Sequence, residues 1–286
     1  MSSLLTVALL AGCGDGGSHS AATVPSTAQQ GGLAGIQGSQ ARSAPSGVRR
    51  TLDAPTCSGR GTNAFVGGAG GDGAANGNPN VAAGAYSVVG GGASNMACDD
   101  ESVVAGGFGN IVSKSSGSSE FQGFIGGGEL NTVTGADFDS AIVAGTGNTV
   151  SNSDAAIVGG EGNSTAANDS FLGGGNTNAI TQAARYAAIA GGSQNTLSNS
   201  YGFIGTGLDN SVSGQYGVVG AGFSNSVSGQ YGFVGDGLSN NVSGQGGYIG
   251  AGGYNTVTGA GAVIDGGYNS TAAGTFATIP GGYVNS

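Results

Sequence analysis

From Gly207 to Gly244 the chain reads GLDNSVSGQYGVVGAGFSNSVSGQYGFVGDGLSNNVSG, nearly the same 15-residue phrase again and again. Aligned on one asparagine per unit, the repeat passes through Asn80, Asn95, Asn110, Asn131, Asn148, Asn163, Asn178, Asn195, Asn210, Asn225, Asn240, Asn255, Asn269 and Asn285. Eight of the thirteen intervals are 15 residues, and the others are 21, 17, 17, 14 and 16. A short fixed period is the mark of a solenoid, in which each unit buries its apolar residues only against its neighbours. A catalytic site needs a few unlike residues brought together once, whereas a repeat supplies like residues in files.

Each unit carries two apolar pieces. Six residues before the asparagine stands Val, Ile or Leu (Val89, Ile125, Ile204, Val219 and, in the later units, Val263 and Ile279), and two residues after it stands a second such residue (Val112, Val133, Val212, Val227). The segments between are too rich in glycine for helix. Two short strands joined by glycine corners fit, which gives an all-β, parallel β-solenoid of about 15-residue coils over residues 61–286. With a coil rise of about 4.8 Å, fourteen coils would extend roughly 65 Å. Side chains alternate across a strand, so Val212 points inward and Ser211 and Ser213 outward. The same alternation turns Asn195, Asn210, Asn225, Asn240 and Asn255 into a corner ladder. Asparagine there serves either to hydrogen-bond up and down the stack or to tolerate a left-handed turn. One residue before each inward aliphatic lies another apolar residue, which must face outward: Phe124, Phe171, Phe203, Val218, Phe233, Tyr248 and, next in order, Ala262. An outward apolar stripe of that length marks a contact surface.

Charge narrows the partners. Of 286 residues only 8% are charged, and the net charge is −10. Beyond residue 61 the only basic side chains are Lys114 and Arg185. A nucleic-acid interface needs a basic face, so none is expected, and an anionic membrane surface would repel the chain. The single histidine, His19, lies in residues 14–60, a Ser-, Ala-, Gly- and Pro-rich stretch that reads as a disordered tether. No acid–base pair is apparent among the scattered carboxylates, and the chain is read as non-enzymatic, with no cofactor. Two weak cation candidates stand out: Asp99, Asp100 and Glu101, and a single nonapeptide-like GGAGGDGAA from Gly67.

The N-terminus reads MSSLLTVALLAGC. Its apolar run is too short to span a bilayer and looks like an export signal. Leu10-Ala11-Gly12-Cys13 is similar to the lipobox of bacterial lipoproteins, although residues 1–12 contain no Lys or Arg. The resemblance implies export and lipid on Cys13, so that the only membrane contact is the lipid anchor. Cys57 and Cys98 then remain as an even pair, expected to form a disulfide in an oxidising compartment.

The units SYGFIGTGLDNSVSG, QYGVVGAGFSNSVSG and GAYSVVGGGASN resemble the head repeats of trimeric autotransporter adhesins over about residues 61–286. The resemblance implies a left-handed parallel β-roll, a homotrimer and attachment at the bacterial cell surface or outer membrane. No heptad stalk or C-terminal membrane-anchor strands follow the repeat, and a lipid on Cys13 would take the anchor's place. The expected function is a surface-anchored structural or adhesive protein facing a host or matrix receptor. The alternatives are ice binding through the outward Ser/Thr rows (Thr132/Thr134, Ser211/Ser213, Ser226/Ser228, Thr256/Thr258), which break at Ala179 and Asn241, and, less favoured, a carbohydrate-active β-helix enzyme.

Overall fold

The computed structural model describes Cys57 and residues 59–67, 79–113, 122–134 and 139–286. These belong to one compact unit, Leu52–Ser286. The lipobox with Cys13, most of the tether including His19, most of the nonapeptide-like stretch and Lys114 lie outside the described residues.

The described residues are all-β, with no helix. They form a parallel β-solenoid of two long sheets, one of 14 strands and one of 13, in which every second strand of the chain joins the same sheet. Strands are two or three residues long and pair in unbroken register. Phe203 lies between Ala188 and Val218, and Ser211 lies between Thr196 and Ser226. A third ladder, one residue wide, runs from Ala93 through Phe108, Leu208, Phe223 and Leu238 to Tyr283. Parallel pairing follows from the period. Each coil returns to the same point one rise further on, so equivalent residues meet and the chain never reverses.

Alternation builds the core. In the coil from Tyr216 to Gln230, Val219 and Val227 point inward and are fully buried, as are Ile204, Val212, Val234 and Val242 in the adjoining coils. Full burial of such a side chain contributes roughly 1.5–3 kcal/mol. A small residue completes each layer: a methyl group at Gly217 would lie 2.8 Å from Val212 Cγ1.

The corner asparagines form a continuous polar spine. Asn80, Asn95, Asn110 and their successors to Asn255 are all buried. In each step the backbone N–H and the Nδ2 of one asparagine donate to the Oδ1 of the asparagine one coil earlier; for Asn225 and Asn210 these distances are 3.0 and 3.1 Å. Asn225 Nδ2 also donates to the carbonyls of Ala221 in its own coil (3.1 Å) and Gly237 in the next (2.9 Å). The left-handed turn position belongs to the preceding residue, Ser224 here (φ 54°). Asparagine therefore stands at the corner as a hydrogen-bonding hub. The glycine beside it is required by the same geometry: Gly222 has φ 103°, and a Cβ there would sit 2.2 Å from Gly237 O and 2.5 Å from Asn225 Nδ2.

The spine corrects one alignment. Asn269 is not its next member. Ser270 is, taking the hydrogen bond of its backbone N–H to Asn255 Oδ1 (3.0 Å) and receiving that of Asn285 (3.3 Å). Both steps are then 15 residues. Asn269 occupies the left-handed turn (φ 54°), which asparagine tolerates. The inward aliphatic of this coil is accordingly Ile264, Val263 faces outward as the partner of Tyr248, and Ala262 is buried. Register follows the hydrogen bonds and the core, not the identity of the corner residue.

Replacing Asn225 by Ala leaves the N–H of Asn240 and the carbonyls of Ala221 and Gly237 without this partner. The expected loss is about 3–5 kcal/mol. Exposed Ser228→Ala should lie within about 0.5 kcal/mol of wild type. Chemical denaturation of the two variants side by side checks this, and equal midpoints would remove the spine from its structural role.

Candidate functional site: two unlike faces

One coil shows both faces. On the 14-stranded sheet, Val218 faces outward, flanked by Tyr216 at one corner and Phe223 on the third ladder. On the 13-stranded sheet, Ser226 and Ser228 face outward. Stacking coils turns these into files.

The apolar face contains the predicted stripe. Phe124, Phe171, Phe203, Val218, Phe233 and Tyr248 occupy one in-register column, and Phe203 is 40% exposed. Beside it run the exposed Leu208, Phe223, Leu238 and Tyr268. A shallow open depression of about 620 Å³ lies where Gly253 interrupts this second file, bordered by Phe223, Leu238 and Tyr268. Phe124, Phe171 and Phe203 lie between alanine or valine neighbours, and one pair of rings in the column stacks. Phe233 and Tyr248 stack at 5.1 Å with planes 4° apart, so they present edges rather than faces to solvent.

Strand alternation does not reveal a third aromatic file. Tyr186, Tyr201, Tyr216 and Tyr231 stack at 5.1, 4.8 and 5.0 Å between centroids. The Arg185 guanidinium lies 5.8 Å from the first ring. These four residues sit in the left-handed region with φ from 57° to 60°. For a bulky L-residue that conformation costs roughly 1–2 kcal/mol. Each stacked pair contributes about 0.5–1.5 kcal/mol beyond burial, which offsets much of the cost. Alternation assigns directions only within strands, and this column lies at a corner. The visible signal was the 15-residue recurrence of tyrosine two places before the stripe.

The polar face carries two hydroxyl files. The inner one includes Thr196, Ser211, Ser226, Asn241 and Thr256; the outer one, Thr181, Ser198, Ser213, Ser228, Ser243 and Thr258, is unbroken. Beside them the amides of Gln215, Gln230 and Gln245 form a ladder, with Nε2 to Oε1 distances of 3.2 and 3.3 Å.

The other predicted residues separate. Cys57 and Cys98 are bonded to each other with Cα atoms 5.7 Å apart, tying the segment ahead of the first strand, Phe65–Val66, to the end of the fourth, Met96–Ala97. Asp100 Oδ1 accepts from the Ala85 N–H (2.7 Å), Asp99 Oδ1 from the Asp100 N–H (3.0 Å), and Glu101 Oε2 from Gln122 Nε2 (2.7 Å). Each carboxylate thus serves a different donor, and no three His, Cys, Asp or Glu among the described residues converge on a metal position. In the tyrosine column, earlier coils carry Asp154 and Asp169. Desolvation first, and then the charges of Asp169 and Asp139, raise the Asp154 carboxyl above its ordinary value. No protein-family model matches the chain, and no curated protein matches it.

Two expectations follow for this corner column. Tyr216→Ala loses both stacks and keeps the strained backbone, whereas Tyr216→Gly loses the stacks and relaxes the strain. The glycine variant should be the more stable by about 1 kcal/mol, the reverse of the order in an ordinary strand, and thermal melts decide it. For Asp154, a raised folded-state pKa means that the destabilisation from desolvation and repulsion is absent below the unfolded carboxylate value and fully present above the folded one. Asp154→Asn should therefore raise the melting temperature near neutral pH and leave it unchanged in acid. A gain that persists in acid would assign the effect to something other than charge.

Proposed function

We propose that the chain is an exported structural or adhesive protein, anchored to a bacterial surface by lipid on Cys13. In this reading its solenoid acts as a homotrimer, as the resemblance to trimeric adhesin heads implies. The observation that carries the proposal is the uncharged apolar column from Phe65 to Val263, in register through 13 of the 14 strands of one sheet and closed by Thr278. A face of that length favours burial in a chain with so few charges. The column alternates aromatic rings with alanine and valine, an uneven apolar relief that suits the packed side chains of another protein. Copies related by rotation about an axis along the stack keep equivalent coils at equal height, and such cyclic contacts close. The hydroxyl files would then remain outside, facing a host or matrix receptor. The proposal includes no catalytic step.

A second reading rests on the unbroken outer hydroxyl file from Thr181 to Thr258. Hydroxyls repeated once per coil in register suit ordered water, and thermal hysteresis in the purified protein would move the assignment to ice binding.

Light scattering on the full chain tests the first reading. The expected mass is three chains, and Phe203→Ser with Phe233→Ser should reduce it to one while the β-sheet signal is retained. Ile204→Ser, one residue away but inward, should instead unfold coils. A wild-type mass of one chain, or a double variant with unchanged mass and melting temperature, removes the trimer from the proposal.

A further inference from the structure

We infer that Tyr186, Tyr201, Tyr216 and Tyr231 form a site of oxidative cross-linking, where a peroxide-driven one-electron oxidant joins phenols of neighbouring coils into dityrosine bridges. Four observations converge on it. Successive rings lie 4.8–5.1 Å apart and within 16° of parallel, so equivalent ring carbons of adjacent coils face each other. The side chains are 40–55% exposed, which admits a bulky oxidant and leaves the rings room to tilt. The backbone holds them in the left-handed region, although glycine stands in the same column at Gly246 and Gly261. The chain contains no tryptophan, and its two methionines, Met1 and Met96, lie outside this row, so an oxidised phenol has no easier neighbouring donor.

The chemistry balances with hydrogen peroxide as the oxidant and a haem peroxidase as the carrier. Each of two phenols gives up its O–H hydrogen, one electron and one proton, leaving a phenoxyl radical with spin on the carbons ortho to oxygen. Two such carbons form the new C–C bond. The hydrogens they carried pass through water to the two oxygens and restore both hydroxyls. The peroxide becomes two waters. Holding the rings one coil apart makes the coupling effectively unimolecular. The product is a covalent strut along one corner of the stack. The inference stands apart from the adhesive reading, since it needs only the row itself.

The test treats the dilute full chain with hydrogen peroxide and a haem peroxidase, then maps peptic peptides by mass for the loss of two hydrogens. Bridges between neighbouring members of the row are expected, with a yield unchanged on about tenfold dilution. Tyr201→Phe with Tyr216→Phe keeps the rings stacked but leaves Tyr186 and Tyr231 three coils apart, and bridges in the row should fall at least about tenfold. Tyr254, Tyr268 and Tyr283, a separate cluster with one T-shaped contact at 5.3 Å and one stacked contact at 5.7 Å, serve as the internal reference. A yield that scales with protein concentration, an undiminished yield in the double variant, or bridges confined to the reference cluster would each overturn the assignment.

Discussion

The hydrogen bonds of the buried asparagines set everything else in this solenoid. A coil this small leaves its corner backbone groups inside the stack, where an unpaired N–H or carbonyl is costly. Asparagine answers with an acceptor for the coil above and an amide that serves three acceptors at once. No other uncharged side chain of that length offers both functions. The same amide forces glycine at the neighbouring turn and fixes where each strand begins. The inward valine and isoleucine positions, and hence both outer faces, inherit their register from it.

That inheritance makes the surface ordered. A residue that recurs once per coil becomes a file with the spacing of the sheet, so small choices in one unit are multiplied along the stack. Tyrosine in a left-handed corner would be a poor choice in isolation. Repeated in four consecutive coils it becomes self-supporting, because each ring covers its neighbours. The same column holds aspartates in earlier coils, where repetition brings like charges together and the consequence is repulsion instead. One backbone position thus gives opposite energetic outcomes according to what is repeated there.

Much of this was legible in the sequence. Period and alternation alone assign the solenoid, the inward aliphatics and the outward stripe, and they place the asparagines inside. They do not decide between hub and turn for asparagine, because both use the same residue at the same place. They also mislead at Asn269, where the turn residue and the spine residue are neighbours and the more familiar letter sits in the turn. The tyrosine file was hidden for another reason. Its residues lie between strands, where the two-residue period no longer says which way a side chain points.

The long intervals also carry a consequence. Between Asn110 and Asn131, Asn131 and Asn148, and Asn178 and Asn195 the chain spends two to six residues more than the usual 15, yet the asparagine bonds across each step are 3.0–3.1 Å, no longer than those across regular steps. The excess falls in each case between a strand of the hydroxyl sheet and the next strand of the apolar sheet: after Ser113, after Thr134 and after Thr181. One corner therefore absorbs length without passing any displacement to its neighbours. It acts as a row of independent sockets at which a lineage, or a protein engineer, can graft a foreign peptide onto a chosen coil and leave the rest of the scaffold in step.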